Sequence, residues 1–334
     1  MINDVYILAI ETSCDDTSVA ILKNQKVLSN IVSSQKIHEI YGGVVPELAS
    51  REHDRLIIPV LKKAINDAGV NLVDIHAIAY TRGPGLLGSL LVGTSFAKSL
   101  ALSLDIPLIE INHMQAHILS IFIDDNPEKP EFPFIALTVS GGHTQLVLVK
   151  DYKNFVELGT TLDDAAGEAF DKLSRFCGFG FPGGPAIQKI GEGGDPNKIE
   201  LPRPKTKHEY NYSFSGLKTA ATNFLNNLDP NDKVTKADFA ASYQEAIVDS
   251  LLSNFVKAVN ETGVKNISGG GGVMANSRLR EKMNIFAENN DLNIYLPTPK
   301  LSTDNAAMVC VAAQNNLITN DINADDVRLS SIIA

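Results

Sequence analysis

Two segments, one near the start of each half of the chain, share a pattern of strand, short polar turn and strand. They are VYILAIETSCDDTSVAIL (Val5–Leu22) and FIALTVSGGHTQLVLV (Phe134–Val149), with Thr17 matching Thr144. Both turns are rich in Ser, Thr, Gly or Asp, whose hydroxyls and backbone amides can approach a phosphate. Strand-like runs alternate with helical ones elsewhere, so the class is α/β. The repeat predicts two similar lobes with a nucleotide cleft between them.

A break between the lobes is predicted in Ile123–Pro133, which contains three prolines and interrupts any helix. The chain has 334 residues, 44% of them hydrophobic, which exceeds what one core usually holds. We expect a first lobe over residues 1–128 and a second over 129–304. The segment after Asp304 has the pattern of an amphipathic helix, and we expect residues 305–334 to pack back on the first lobe.

The composition limits which binding partners and which cellular compartment we expect for this chain. A net charge of −10 argues against attraction of nucleic acid to the whole surface, because neutralising phosphates requires Lys and Arg. Three cysteines without a C-x-x-C pair are typical of a reduced setting. The apolar run Val5–Ile10 has the length of a strand, not of a signal peptide. The run Leu86–Leu104 contains Lys98 and several hydroxyls, so we expect a buried helix, no membrane contact and a cytoplasmic protein.

Two local clusters of basic residues are candidates for contact with nucleic acid. They are Arg203, Lys205, Lys207 and His208 in LPRPKTKHEY, and Arg278, Arg280 and Lys282 in NSRLREK. The alternative is a solvated loop and a solvated helix face, which these residues by themselves leave open.

A run of four glycines, Gly269–Gly272, follows a short strand-like segment and precedes a helix. Glycine tolerates positive φ and lets a ligand approach the backbone. The N-terminus of the following helix offers free N–H groups and a positive dipole to an anion. Asn276 lies in its first turns, where its amide could contact a polar edge of a ligand. The pattern favours a ligand site over a plain turn.

Two further segments combine glycine with polar side chains. VSGGHTQL (Val139–Leu146) places two glycines in a tight turn with Ser140 and His143, which a plain glycine hairpin would also show. The second segment begins with a helix predicted over 165–177, which a glycine ends. Asp171 on this helix precedes a rigid FPGGP turn, although a lone Asp on a helix is usually only solvated.

His113 and His117 are four residues apart in INHMQAHILS, so on a helix both imidazoles lie on one face and could bind one metal ion. A metal needs at least a third ligand, and Asp304, between a Pro-bounded loop and a helix, is the acidic residue best placed. Protease zinc helices carry a Glu after the first His, and this chain has Met114 there. The metal would therefore position a ligand rather than cleave a peptide, unless the histidines share a face by chance.

Together, these motifs resemble one family. They follow one another over Val5–Leu317 as AIETSCDDTSVAI, GGVVPELASREH, TRGPGLLGSLLVG, NHMQAH, VSGGHTQL, GEAFDK, PGGP, SGGGGVMANSRLR and PTPKLSTDNAAM. In this order they are similar to the universal tRNA N6-adenosine threonylcarbamoyltransferase family in its bacterial (TsaD) form. The resemblance implies the actin-like ATPase (ASKHA) fold, with a ligand cleft between two similar lobes. It also implies transfer of a threonylcarbamoyl group from threonylcarbamoyl-AMP to N6 of adenosine 37 in tRNAs reading ANN codons.

The resemblance also assigns residue roles. It implies metal ligands at His113, His117 and Asp304. It implies contacts to the adenylate at Val139, Ser140, Gly141, Gly142, His143, Asp171, Gly184 and Asn276. Many relatives carry an acidic residue where this chain has Gln188, so the ribose contact expected there is in doubt. Fe(II) is the favoured metal and Zn(II) the alternative. No general base is evident, and Glu11 beside the first polar turn is only a candidate.

The chemistry sets what such a site must do. An exocyclic amine attacks a carbamoyl–phosphate anhydride, and AMP leaves. Because the amine is a poor nucleophile, both partners must be held in line, and the charge growing on the carbonyl and phosphate oxygens must be stabilised. A divalent metal on two His and one Asp leaves positions open for ligand oxygens and acts as a Lewis acid.

The charge also predicts dependence on partners. A chain of net charge −10 with few basic clusters should bind tRNA modestly, and less at higher salt. The resemblance implies two helpers, a TsaB-like paralogue docked on the first lobe and a TsaE-like ATPase. Helices beginning near Glu47 and Leu86 carry apolar stripes and are candidate docking faces, unless those stripes are core packing.

Three alternatives remain at this point. A small-molecule kinase or ATPase of the same fold would hold Mg²⁺ through carboxylates and phosphates, which the histidine pair does not favour. A metalloprotease would need the missing Glu. A non-enzymatic binding module of the same fold would be expected to lack the complete metal set.

Overall fold

The computed structural model describes residues 4–123, 128–208, 210–228 and 233–319. The chain divides into two compact units, Met1–Lys129 with Asp304–Ala334, and Pro130–Thr303. Part of the predicted boundary segment, residues 124–127, lies outside the described residues, as does the predicted C-terminal helix from residue 320 onward.

Each unit is built on a five-stranded mixed sheet. The first contains β1 (Tyr6–Glu11), β2 (Asp16–Lys23), β3 (Lys26–Ser34), β4 (Ala77–Gly83) and β5 (Leu108–Asn112). The second contains β6 (Phe134–Val139), β7 (Thr144–Val149), β8 (Phe155–Thr160), β9 (Asn266–Gly270) and β10 (Asn293–Tyr295). The strand orders are β3-β2-β1-β4-β5 and β8-β7-β6-β9-β10. In each sheet the first three strands pair antiparallel with their neighbours, the fourth pairs in parallel with the first, and the fifth pairs in parallel with the fourth. The predicted repeat thus extends to the whole sheet topology.

Helices cover these sheets. The first unit has α1 (Ile37–Tyr41), α2 (Pro46–Ala68), α3 (Leu87–Leu104), α4 (His113–Leu119) and α11 (Ala306–Thr319). The second has α5 (Ala166–Cys177), α6 (Gly183–Ile190), α7 (Ser215–Asn226), α8 (Lys236–Thr262), α9 (Ser277–Asn289) and α10 (Pro299–Ser302). Short 3-10 turns occur at Leu72–Asp74, Ser120–Phe122 and Gly272–Ala275. The helix predicted over 165–177 is α5, one residue shorter at its start.

Strand β1 is covered on both faces. Leu8 and Ile10 belong to a hydrophobic cluster with α2 and α3, and because strand side chains alternate, Ile7 and Ala9 face the other side. There α11 packs against β1 and β2, with the Cys310 sulfur 3.7 Å from the Ile7 carbonyl oxygen. A strand buried on both faces needs no polar alternation, which explains the continuous apolar run.

Helix α3 differs from the predicted buried helix. Its buried residues are small and four apart: Ser89, Gly93, Ala97 and Ala101. A Cβ on Gly93 would lie 2.1 Å from the Thr12 Oγ1, so the small side chains let the helix pack closely against the segment after β1. The prediction of burial was wrong for its large side chains, since exposed leucines remain at Leu87, Leu91 and Leu102. By length and composition alone α3 could cross a membrane, and 22% of it is buried. It is the single helix of this kind among the described residues, and one such helix is weak evidence for a membrane span.

Helix α8 is the central helix of the second unit. Thr235 and Asp238 form a capping box at its start, which pairs N–H groups that a helix end leaves free. Tyr243 is fully buried, and its hydroxyl donates to the Ala169 carbonyl oxygen at 3.0 Å. This bond ties α8 to α5, the helix that carries Asp171.

Candidate metal centre and nucleoside cavity

The chain passes from β5 into α4 at Asn112, and this turn positions both histidines. The Asn112 Oδ1 accepts the N–H groups of Met114 and Gln115 at 2.9 and 3.1 Å, which caps the first turn of α4. His113 is the first residue of α4 and His117 follows one turn later. Their rings stand edge to face, with centroids 4.6 Å apart.

Asp304 lies beside the two imidazoles. Its Oδ1 is 2.9 Å from the His117 Nε2 and 3.7 Å from the His113 Nε2. The Ala306 N–H, two residues on, donates to the Ser18 Oγ at 2.8 Å, so the start of α11 is fixed to β2. The three ligand atoms lie within 4.8 Å of one another, and the group could hold one metal ion.

The donor set suits a divalent transition metal. Two imidazoles and one carboxylate leave coordination positions open, and Fe(II) and Zn(II) both accept these ligands. His113 and His117 are 5% and 0% exposed, and both direct Nε2 toward the same carboxylate oxygen. Buried donors that converge in this way fit a metal ion better than a solvated surface cluster would.

Glu11, at the end of β1, contacts the same centre. Burial alone would lower the pKa of His113, but the carboxylates of Glu11 and Asp304 outweigh burial and raise that pKa to about 9. Burial opposes ionisation of Glu11, yet the neighbouring His113 lowers the pKa of Glu11 below its ordinary value. A buried, ionised carboxylate that already accepts bonds from Ser13, Thr81 and His113 does not favour the role of general base.

The second unit contains a cavity of about 280 Å³, near the lower end of the ~300–1,000 Å³ typical of small-molecule sites. Its lining is Gly141, Gly167, Phe170, Asp171, Pro182, Gly184, Pro185, Gln188, Gly272, Val273, Ala275, Asn276 and Thr303. Four residues predicted to contact the adenylate are in this lining: Gly141, Asp171, Gly184 and Asn276. The β6–β7 turn, α5, the start of α6 and the turn before α9 thus surround one space.

The other four predicted contacts, Val139, Ser140, Gly142 and His143, are outside the lining. Ser140 and His143 instead close the β6–β7 turn: the Ser140 N–H donates to the His143 carbonyl oxygen at 2.8 Å, and the His143 N–H donates to the Ser140 Oγ at 3.2 Å. A Cβ on Gly167 would lie 2.5 Å from the Ser140 carbonyl oxygen. This turn therefore packs directly on the start of α5.

Asp171 holds the FPGGP turn against α5. Its Oδ1 accepts the Gly183 N–H at 2.6 Å, and a Cβ on Gly183 would lie 2.5 Å from the Phe170 carbonyl oxygen. The next residue differs, because a Cβ on Gly184 would meet no atom within 4 Å. Gly183 is thus required for packing, whereas Gly184 faces open space beside the cavity.

The amides of Asn276 and Gln188 stabilise the start of α9. The Asn276 Oδ1 accepts the Leu279 N–H at 3.0 Å, and its Nδ2 donates to the Gln244 Oε1 at 2.7 Å. The Gln188 Oε1 accepts the Ser277 N–H at 2.9 Å. A carboxylate at position 188 could accept the same bond, but an amide also brings a hydrogen-bond donor to the cavity wall.

The glycine run serves several purposes. Gly269 and Gly270 belong to β9. Gly271 has φ +87°, and a Cβ there would lie 2.3 Å from the Val139 carbonyl oxygen, so this glycine is required by the backbone. Gly272 lines the cavity, and a Cβ there would meet no atom within 4 Å. The expected approach of a ligand to the backbone thus concerns Gly272.

Sequence reasoning missed the apolar wall of this cavity, Phe170, Pro182 and Val273. Phe170 fits the helical period of α5 and is 1% exposed, so its pattern is that of an ordinary core residue. The available signal was its position beside Asp171 in a helix followed by a glycine–proline turn. An apolar wall opposite polar groups suits a flat, partly polar ligand such as a nucleoside.

Arg278 and Lys282 of the second basic cluster are paired with carboxylates within their unit. Arg278 pairs with Glu245 and Glu281, both at 2.8 Å. Lys282 pairs with Glu245 and, at 2.5 Å, with Asp249. These bonds join α9 to α8, so the role of phosphate contact expected for this cluster is not supported.

The first cluster keeps most of its charge free. In this cluster Arg203 pairs with Asp249 at 2.7 Å. Arg280, the remaining member of the second cluster, donates to the Pro297 carbonyl oxygen at 2.9 Å. The exposed members are Lys205, Lys207 and His208. A short basic segment thus remains, which supports only a few phosphate contacts.

Replacing Glu245 by Gln is expected to lower the free energy of unfolding by about 1–3 kcal/mol near neutral pH, the range for losing hydrogen bonds to charged groups. The loss is limited because Arg278 retains Glu281 and Lys282 retains Asp249. Urea unfolding measures it. The matched control is Glu281→Gln, whose side chain is 55% exposed and should contribute less than about 1 kcal/mol. Equal losses in the two variants would contradict the assignment.

The same carboxylate gives stability a pH window. Burial alone would raise the pKa of Glu245, but hydrogen bonds from Arg278 and Lys282 outweigh it and lower the pKa to about 2. Because this lies below the ordinary value of 4.5, the stabilisation is fully present above that pH and is lost as the pH falls toward 2. As the pH falls from 4.5 toward 2, the free energy of unfolding should decrease more in the parent chain than in Glu245→Gln, which has no carboxylate to protonate at this position.

Solved structures show which class of fold this is. The full-length HypF structure in its phosphate- and nucleotide-bound form aligns with a TM-score of 0.64 at 14% identity, over 95% of this chain and 47% of HypF. The chain therefore spans about half the length of HypF. The activator of 2-hydroxyisocaproyl-CoA dehydratase from Clostridium difficile, solved with ADPNP, aligns at 0.54 and 15% identity over 99% and 98% of the two chains. The chain has the two-lobed, actin-like ATPase (ASKHA) fold, here with a candidate metal centre.

Sequence comparison identifies the family within that class. The TsaD family model, tRNA N6-adenosine threonylcarbamoyltransferase, matches residues 26–311. The protein of that name from Christiangramia forsetii is 50% identical over 322 residues, 95% of this chain and 94% of the relative. The one from Riemerella anatipestifer is 52% identical over 313 residues, 92% of each. This chain belongs to the tRNA N6-adenosine threonylcarbamoyltransferase family, a family of transferases and neither of kinases nor of proteases.

Proposed function

We propose that this chain transfers a threonylcarbamoyl group from threonylcarbamoyl-AMP to N6 of adenosine 37 in tRNAs reading ANN codons. The observation that carries the proposal is the convergence of His113, His117 and Asp304 on one point in a chain of this family. The nucleoside-sized cavity of the second unit is the second support.

The metal is proposed to be Fe(II), with Zn(II) as the alternative. When bound, it would supply Lewis-acid stabilisation of negative charge on a ligand oxygen. His113 and His117 present ring nitrogens on one helix face, and Asp304 supplies the anionic oxygen from the start of α11. The burial of the two imidazoles keeps bulk water from competing for their ring nitrogens.

The adenylate is proposed to bind in the cavity of the second unit. Gly141, Gly184 and Gly272 allow close approach to the backbone, since none has an atom within 4 Å of an added Cβ. The full set assigned to this ligand is Val139, Ser140, Gly141, Gly142, His143, Asp171, Gly184 and Asn276. Ser140, Asp171 and Asn276 hold the cavity walls in place through hydrogen bonds. Because these walls are already ordered, binding the ligand costs little conformational entropy of the protein. Gln188 is proposed to donate to the ribose.

The partners are proposed to be tRNA, a TsaB-like paralogue and a TsaE-like ATPase, in the cytoplasm and without membrane contact. The paralogue is placed on the outer faces of α2 and α3. Ile58 is 50% exposed there, and Leu87 and Leu91 are 74% and 56% exposed. Exposed apolar side chains grouped on one surface are typical of a protein interaction site.

Reconstitution tests the function directly. The purified chain, unmodified tRNA, threonylcarbamoyl-AMP and the two candidate partners are combined, and digested tRNA is analysed for threonylcarbamoyladenosine by mass spectrometry. We expect the modified nucleoside to appear and to decrease when a chelator is added. ATP turnover without tRNA and without modified adenosine would favour the kinase alternative instead.

Valine at Gly184 is expected to weaken AMP binding at least about fivefold, because overpacking a filled site costs about 1–3 kcal/mol. The fold should be unaffected, since no atom lies within 4 Å of the new Cβ. Calorimetry with AMP measures the affinity. Gly216→Val is the matched control: an added Cβ there meets only Pro204, at 4.0 Å, and Gly216 is not in the cavity lining. If Gly184→Val bound AMP like the parent, the ligand would not lie in this cavity.

A further inference from the structure

We infer that Glu11 is the positioning residue of the metal centre: its buried carboxylate holds a proton on the His113 Nδ1 and thereby directs the Nε2 lone pair to the metal. The inference rests on the proposed metal site and adds to it the group that sets its affinity. Glu11 itself is assigned no contact with the metal or the substrate.

Geometry fixes Glu11 in place. The residue is 0% exposed and ends β1. One oxygen, Oε1, accepts the Ser13 N–H at 2.5 Å. The other, Oε2, accepts the Thr81 hydroxyl in a short bond and lies 3.2 Å from the His113 Nδ1. A carboxylate held by two neighbouring donors has no freedom to turn away from the imidazole.

The hydrogen bond decides which nitrogen of His113 is free. Both oxygens of Glu11 already accept a hydrogen bond, from the Ser13 N–H and the Thr81 hydroxyl, so the carboxyl group acts as an acceptor and the Nδ1 that faces it carries the proton. In the neutral ring the lone pair then resides on Nε2, the nitrogen that points to Asp304 at 3.7 Å. The Ser13 Oγ, 3.3 Å from the same Nδ1, can share this proton but cannot replace the negative charge.

His117 provides the contrast. Its Nδ1 is buried and has no hydrogen-bond partner among the described residues. The two imidazoles are therefore not equivalent: a carboxylate behind the Nδ1 of His113 orients that ring and raises its basicity, whereas the Nδ1 of His117 has no such partner among the described residues. The Glu11 carboxylate therefore affects metal affinity through His113 and not through His117.

The test compares metal affinity in the full-length chain. Zn²⁺ and Co²⁺ dissociation constants are measured by competition with a chromophoric chelator for the parent, Glu11→Gln and Glu11→Ala. We expect Kd to rise about 10–100-fold, the usual effect of losing a carboxylate behind a ligating histidine. Glu110→Gln is the matched control: it removes the charge of another carboxylate, which accepts the Tyr80 hydroxyl at 2.6 Å and is not in the metal group, so its Kd should change less than about threefold.

A spectroscopic readout separates positioning from a general loss of structure. With seven histidines in the chain, ¹⁵N-histidine labelling gives a tractable spectrum of the Zn²⁺-loaded parent. We expect the His113 signal, assigned by His113→Asn, to show a protonated Nδ1 and a metal-bound Nε2. A His113 ligated through Nδ1 in the parent would overturn the inference without any Glu11 variant being needed.

The outcomes also separate this inference from the proposed function. If the parent binds neither Zn²⁺ nor Co²⁺, the metal site itself is wrong and the inference fails with it. If the parent binds metal and Glu11→Gln binds equally well, only the role of Glu11 is overturned. A raised Kd in Glu11→Gln with an unchanged Kd in Glu110→Gln supports the inference.

Discussion

Replacing His113 or His117 by Ala is expected to reduce bound metal from about one ion per chain to a small fraction of that, since two remaining protein ligands hold a divalent ion poorly. Formation of threonylcarbamoyladenosine in the reconstituted system should fall by more than the ~10–100-fold typical of outer-shell changes. Elemental analysis of purified protein gives the first quantity and nucleoside mass spectrometry the second.

His208→Ala is the control for the histidine variants, because His208 is exposed and outside the metal group. It should retain parental metal content. Normal metal content in both His113→Ala and His117→Ala would exclude the centre described above. Circular dichroism of each variant shows whether the fold is retained.

A reconstituted system in which both Leu87 and Leu91 are replaced by Asp is expected to lose at least about 90% of its multiple-turnover activity. Two buried charges without partners would each cost several kcal/mol at an interface. In the isolated chain these side chains are already 74% and 56% exposed, so the variant should fold and bind AMP normally. Size-exclusion chromatography with the TsaB-like paralogue shows whether the complex is lost.

Val73→Asp is the control for this surface, since Val73 is 82% exposed and belongs to the 3-10 turn Leu72–Asp74, not to α2 or α3. It should leave activity unchanged. Full multiple-turnover modification by the isolated chain at physiological salt, with tight tRNA binding, would show that the partners are dispensable. It would also contradict the argument from net charge.

The fold was largely predictable because its signals are local. The apolar run of β1 and the polar turn after it predict a hairpin from adjacent residues, and the same pattern recurs at β6 and β7. The pairing of His113 with His117 follows from helical period alone. Asp304 was a candidate from its position before a helix, and the resemblance to a family supported that choice, since no local pattern indicates which distant carboxylate meets a given helix.

Other features depend on contacts that sequence does not encode locally. Burial of α3 was mispredicted because its small residues, such as Gly93, permit close packing on one side and leave leucines such as Leu91 outside. The apolar wall at Phe170 has the pattern of core packing. The basic cluster around Arg278 appeared free because its partner Glu245 is 33 residues away on α8. In each case the missing information was the distant side chain that completes the contact.

The third metal ligand has a consequence for biosynthesis. His117 and Asp304 are separated by 187 residues, and the intervening chain builds an entire second sheet before returning to α11. At ~5–20 residues per second, about 10–40 s of translation pass between the synthesis of the histidine pair and that of its carboxylate. A nascent or truncated chain therefore carries two histidines but not the complete metal group, and metal loading reports that synthesis has passed Asp304.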